Sequence, residues 1–491
     1  MVILVSLVLP AAVAVWLLSA GRVVSHKWDN RITVTATVLT LAAVIVAVIT
    51  RPEVDRPWVP ALGLRWHLAV DGISAPLLLL TAILGVGVVV HSMDRQPSGG
   101  TPGAFHACLL LVEFGALATF YARDAVLFFV AFEVVLVPMW VLISRFGDPH
   151  DRRQRADAAG RFVLYTVFGS TLMLLGILAL VVKAGTADLD VLARAAGHGI
   201  PVGTQVLIAA LLVAGLAVKV PVFPLHTWLP PAHTTAPTAG SVLLAAVLLK
   251  MGTYGLVRLP LATVPDGFQR VAPYLAVLGA VSIIWGGLAC LAERDLKRLI
   301  AYSSVAHMGF VVIGIASGTQ TGLQAALFAN VAHGVISALL FVVVGGLKDR
   351  WGGTDLRTAR AAVREVAPRL GFALVVGLAA SLGLPGLAGF WGEFLAVYAA
   401  WSPADDRPLA LFRTIAVVAA LGTVLAAAYA LRVARVVWAG ERREPLIEDS
   451  RDSEWDVASV LVLATLVLGV LPGPLLALTS GSVAALVGGG P

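Results

Sequence analysis

The chain has 491 residues, 59% of them hydrophobic and only 13% charged, whereas a soluble globular domain carries about 25% charge. The net charge of +6 would suggest a nucleic-acid partner in a soluble protein. Here the basic residues lie mostly in loops between apolar runs, where they orient helices in a bilayer. Cys108 and Cys290 are far apart and both apolar-flanked, which leaves no thiolate set for an iron–sulfur cluster and no zinc spacing. With no G-x-x-x-x-G-K-[ST] loop and no G-x-G-x-x-G between a strand and a helix, ATP hydrolysis and the usual NADH site are excluded as well. The composition predicts an all-α polytopic membrane protein in which any redox chemistry belongs to partner chains.

Apolar runs long enough to cross about 30 Å of hydrocarbon recur from end to end. The first, within MVILVSLVLPAAVAVWLLSAGR, has no basic residue ahead of it, and Arg22 and Lys27 follow. That order predicts a retained helix and not a cleaved signal. About fourteen spans are expected: near 2–20, 31–50, 73–92, 103–121, 124–146, 160–183, 204–224, 237–259, 271–292, 298–317, 321–347, 369–400, 409–439 and 457–480. Loops after odd-numbered spans hold 23 Lys and Arg, including Arg22, Arg95, Arg360 and Arg443, against 10 after even-numbered spans. The positive-inside rule then puts the odd loops in the cytoplasm and both termini outside. The basic stretches 145–161 and 348–369 read as anchors against anionic lipid.

Two spans carry helix breakers beside a charge. The seventh reads GLAVKVPVFPLHTWLP, with Pro221 and Pro224 after Lys219; the twelfth reads SLGLPGLAGFWGEFL, with Pro385, Gly386 and Gly389 before Glu393. Proline removes a donor and clashes with the preceding turn, and open backbone in a membrane must be buried in protein or line a wet cavity. Packing kinks would explain the prolines but not the charges. Breaks five spans apart predict two inverted five-helix repeats, spans four to eight and nine to thirteen. The corresponding division is an N-terminal unit 1–100, repeats at 101–260 and 261–440, and a C-terminal helix in 441–491.

Single ionisable residues inside apolar runs are expensive and mark proton or ion paths. Glu133 in VLFFVAFEVVLVPMW, Lys219, and Lys250 in GSVLLAAVLLKMGTYGLV are the strongest cases. A lysine that approaches or leaves Glu133 changes that carboxyl's hold on its proton. Lys219, on the broken helix, is the natural candidate. Lys250 can carry a proton itself. His307 and His333 suit a relay near neutral pH, and Glu393 ends the series. Tyr302, Ser303, Ser304 and Ser337 are candidates for holding water between them. Glu113, inside the fourth span, is a further candidate. His226 and His233 lie on the connector after the seventh span, where connector packing or part of the path are both open and a metal site would need more ligands.

KVPVFPLHTWLPPAHTTAPTAGSVLLAAVLLKMGTYGLVR, ERDLKRLIAYSSVAHMGF and GLPGLAGFWGEFL together resemble the antiporter-like proton-pumping subunits of respiratory complex I. The resemblance runs from about the fourth span to the thirteenth. It implies fourteen helices and two inverted repeats. It also implies a coupled Glu133–Lys219 pair, a central Lys250, His307 and His333 as connecting groups and Glu393 as the terminal residue. The glutamate at that last position resembles the M-type branch, since the L- and N-types have lysine there. By the same resemblance this chain holds no cofactor. FMN, iron–sulfur clusters and quinone are expected on partner subunits, reached through L-type and N-type neighbours, in a bacterial cytoplasmic membrane. The alternatives are a subunit of a multisubunit cation/proton antiporter without a redox partner, a stand-alone solute transporter, and a structural scaffold. A transporter needs polar residues clustered around one pocket, and a scaffold has little use for buried lysines.

Overall fold

A computed structural model describes residues 1–20, 26–94, 98–149, 151–358, 361–442 and 446–487. Arg22, Arg95, Arg360 and Arg443, used in the orientation count, lie outside the described residues. Thirteen helices among those described are long and apolar enough to cross a membrane. The twelfth span is the pair Pro368–Ser381 and Ala388–Trp401, each half too short to cross alone. The chain is a multi-pass α-helical membrane protein.

Helix starts follow local chemistry. Asp124 accepts hydrogen bonds from the Val126 and Leu127 amides to open the fifth span, and Asp295 accepts from Arg298 to open the tenth. A carboxylate there satisfies amides that have no helical partner. Beyond each start the chain makes the same small ladder. Ala125 N–H donates to Ala187 O and Leu189 N–H to Arg123 O; Leu296 N–H donates to Thr354 O and Leu356 N–H to Arg294 O. Paired glycines bring helices together where a Cβ would collide: Gly215 with the Gly169 carbonyl, and Gly309 with the Gly279 carbonyl, each at 2.5 Å. Small residues of this kind allow close backbone approach in a bilayer.

The eighth span, Thr238–Leu261, is buried along its whole length, and the tenth and eleventh, Leu296–Ala316 and Gln320–Trp351, nearly so. The sixth and thirteenth turn Leu164, Val182, Val424 and Leu431 outward. An apolar exterior suits lipid, so the polar residues of the three central spans point into protein.

Four features depart from the sequence expectation. Residues between the second and third spans form an antiparallel hairpin, Glu53–Val59 paired with Leu64–Ala69. Neither strand alternates buried and exposed residues, and Pro52, Pro57 and Pro60 lie in or beside the first strand, so no strand signal stands out there. The fourteenth span is Asp452–Val470, not 457–480. Pro472 ends it, because the ring clashes with a continuing helix, and a separate helix follows at Gly473–Val487. The fifth span is interrupted at Val135, between Ala125–Val134 and Leu136–Ser144; Pro138 cannot donate to the Val134 carbonyl. The eighth span contains two π-helical turns, Leu244–Leu248 and Val257–Leu261.

Candidate proton-transfer site

The wide turn at Leu244–Leu248 immediately precedes Lys250, whose side chain is fully buried. Its Nζ donates to the Ala245 carbonyl at 2.8 Å and lies 2.6 Å from His333 Nδ1. An ammonium donating to that nitrogen requires the His333 Nδ1 lone pair, so His333 is then neutral with its proton on Nε2. Three residues before His333, Asn330 accepts from Thr253 at 3.0 Å and ties the eleventh span to the eighth.

The His333 and His307 rings lie 5.7 Å apart between centroids. A cavity of about 20 Å³ touches both rings and Glu393, enough for one water molecule. His307 Nδ1 is 2.9 Å from Glu393 Oε1, and its Nε2 is 3.0 Å from Ser381 Oγ. The carboxylate accepts from Nδ1–H. The Ser381 hydroxyl can donate to a bare Nε2 or accept from a protonated one, so it serves both charge states. Tyr429 places its hydroxyl 3.4 Å from the same nitrogen.

The break in the twelfth span makes room for the carboxylate. Gly383 and Gly386 are left-handed, with φ of 73° and 88°. A Cβ on Gly383 would sit 2.7 Å from Glu393 Oε2. Only glycine combines that backbone with that contact. In the seventh span the break is buried as expected. The Trp228 indole donates to the Val218 carbonyl at 2.9 Å, and the Phe223 amide donates to Ser282 at 2.9 Å.

Lys219 and Glu133 are near enough for their charges to act on each other, yet no ion-pair contact within 4.0 Å joins them. The Lys219 amine lies instead 4.9 Å from the Phe132 ring centroid and 6.0 Å from that of Phe162. Aromatic faces of this kind hold a cation without neutralising it. Glu133 stands at the end of the helical piece that Pro138 interrupts, with Ser170 beside it.

Lys250, His333, His307 and Glu393 therefore form one line, and Glu133 with Lys219 a separate group. The other candidates are placed differently. Ser303 and Ser304 both donate to the Ile300 carbonyl, and Ser337 donates to the His333 carbonyl. Tyr302 meets the His226 ring edge-on at 6.3 Å, and His226 stacks on Phe223. Ser381 and Tyr429 were missed because a serine and a tyrosine in apolar helices carry no sequence signal of their partners.

A larger cavity of about 480 Å³ opens at the end of the molecule that holds Ala236, Lys297, Lys348 and Arg451. Lys297 is buried there and donates to the Ala236 carbonyl at 2.5 Å. His233 lies within reach of the charges of both Lys297 and Lys250. It is fully buried against Phe341, with neither ring nitrogen hydrogen-bonded among the described residues. Among those residues the three-membered grouping with metal-ligand character is His67, Asp188 and Asp190. Its donors are already engaged: His67 pairs with Asp188 and Glu53, and Asp190 with Arg123.

Residues 122–429 match the family described as NADH:quinone oxidoreductase/Mrp antiporter, TM. The chain belongs to this family. It is 39% identical over 420 residues to an NAD(P)H-quinone oxidoreductase chain 4 of Synechococcus sp. (strain JA-3-3Ab), covering 84% of this chain and 78% of that one. It is 38% identical over 452 residues to NADH-quinone oxidoreductase subunit M of Rhodobacter capsulatus, covering 88% and 84%. A chain of respiratory complex I from Thermus thermophilus with bound NADH superposes with a TM-score of 0.87 at 29% identity, over 99% of this chain and 100% of that one. The Mrp complex from Dietzia sp. DQ12-45-1b contains a chain of the same fold, with a TM-score of 0.85 at 20% identity over 99% and 97%.

Proposed function

We propose that this chain is the M-type proton-translocating membrane subunit of an NADH:quinone oxidoreductase, with quinone reduction taking place on partner chains. The observation that carries the reading is the buried line from Lys250 through His333 and His307 to Glu393. Every neighbour in it is joined by a hydrogen bond or by a cavity that fits one water. The lysine can bind and release a proton, and arginine in its place cannot.

Protons enter through the cavity at Lys297 and reach Lys250 by way of His233. They then pass along the two histidines to Glu393, which releases them toward the opposite side. Glu133 and Lys219 set the field at the lysine: when Lys219 moves toward Glu133, its positive charge is withdrawn from the path and Lys250 holds its proton more firmly. Spans four to eight and nine to thirteen are inverted repeats, supported by the matching ladders at Asp124 and Asp295. The protein sits in the bacterial cytoplasmic membrane with both termini outside, beside L- and N-type neighbours.

A complex isolated through an affinity tag on this chain is expected to contain flavin and iron–sulfur partners and to oxidise NADH with quinone. Recovery of small membrane chains alone, with no redox centre, would replace this reading with a cation/proton antiporter.

A further inference from the structure

Glu113 lies outside the line just described. It is 1% exposed, on the fourth span, and neither carboxyl oxygen has a hydrogen-bond partner among the described residues. The third span is notched to receive it. A Cβ on Gly85 would stand 2.4 Å from Glu113 Oε1 and 2.7 Å from its carboxyl carbon, so the head group is pressed against a bare backbone. An ionised carboxylate buried without a partner is far costlier than a neutral acid, and even the neutral acid is destabilising when unbonded.

The same helix touches the Glu133 break. Gly115, two residues on from Glu113, packs against Val134 and Val135: a Cβ there would be 2.7 Å from Val135 Cγ1 and 3.2 Å from Val134 Cγ1. Val135 is the point at which the fifth span is interrupted, directly after Glu133 and Val134. Glu113 and the break therefore sit at one level, one helix apart. The fourth span is thus packed directly against the break, with no room for a methyl group at Gly115.

We infer that Glu113 is a further proton-binding residue: it holds a proton in the conformation described and exchanges it when movement of the fifth-span break displaces the fourth span from Gly85. The inference rests on the proton-translocating reading above and adds a site to it. Among the described residues nothing bonds to the acid in this conformation, so its proton is released when the fourth span moves away and water or a base reaches the carboxyl. The chemistry is a proton transfer alone, from the carboxyl to that water or base and back.

Infrared difference spectra of the assembled complex, taken between resting and turning-over states, test this. Wild type is expected to show a protonated-carboxyl band that changes on turnover. Glu113→Gln should lose that band and translocate fewer protons per electron while electron transfer continues. A merely structural role would leave the spectrum and the proton ratio unmoved. If Glu113→Gln fails to assemble, Glu113→Asp reads the same point by shifting the band. A wild-type proton ratio in assembled Glu113→Gln, or a band unchanged in either variant, overturns the inference. Glu133→Gln, measured alongside, separates this from failure of the main reading: it should lose translocation whatever Glu113 does.

Discussion

The amine of Lys250 meets Nδ1 of His333 at 2.6 Å in a fully buried setting, with a π-helical turn supplying the Ala245 carbonyl as its second acceptor. Among the described residues, His333 is the titratable group hydrogen-bonded to that lysine, so it is the first group to which its proton can pass. Lys250→Arg keeps the charge but cannot give up a proton in this range, so translocation should fall by about tenfold or more, the equivalent of ~1.4 kcal/mol. Lys219→Arg should retain a substantial share, because its amine acts through its charge from between two aromatic rings, a setting arginine also accepts. Proton uptake by reconstituted vesicles distinguishes them; equal tolerance at both positions would contradict the separate roles.

Glu133 and Lys219 are held apart, without direct contact. Glu133→Gln should assemble and nearly abolish translocation, since the lysine then has no charge to move toward. Glu133→Asp shortens the reach but keeps the charge and should retain part of the activity. Wild-type translocation in assembled Glu133→Gln would leave that residue with a structural role only.

Gly383 is left-handed and lies against Glu393 Oε2. Gly383→Ala combines a left-handed penalty of about 1–2 kcal/mol with a collision against the carboxylate. Reduced thermal resistance of the subunit and reduced translocation are expected together. Glu393→Gln keeps the shape, so it should lower translocation while leaving thermal resistance near wild type. Comparing the two variants by thermal unfolding and vesicle pumping separates the backbone role from the proton role.

The charged residues were legible in the sequence because Lys250, Glu133, His307, His333 and Glu393 stand alone in apolar runs, where a polar side chain must have a reason. The breaks at Pro221 and Pro385 were legible because proline and glycine state their effect locally. The interruption after Glu133 was not, although Pro138 was visible: a single proline in a span is tolerated when neighbours absorb the freed carbonyl, and that depends on tertiary packing. The π turn before Lys250 leaves no mark in LLAAVLLK, since it follows from how the eighth span packs within the bundle. Which histidine nitrogen meets which partner, and that Ser381 completes the His307 site, are contacts between residues at least 74 positions apart. No local pattern encodes them. The hairpin at 53–69 was hidden for the opposite reason: it is short and proline-containing, and its strands are held by Asp55–Arg65 and His67–Asp188 contacts that composition does not announce.

The orientation also admits a direct check. Arg357 is exposed in the segment after the eleventh span, and the two native cysteines are buried. An Arg357→Cys variant should therefore react with an impermeant thiol reagent only from the cytoplasmic side, over a low background. Labelling from the outer side in intact cells would reverse the assigned topology.

The central measurement is the number of protons translocated per electron by the reconstituted complex carrying His307→Leu. Leucine fills the space but removes both ring nitrogens, and with them the bonds to Glu393 and Ser381. With the line cut between His333 and Glu393, NADH-driven quinone reduction in uncoupled vesicles should continue while the proton ratio falls below that of wild type. An unchanged ratio in a fully assembled His307→Leu complex would mean that protons do not travel from Lys250 to Glu393 through the histidines.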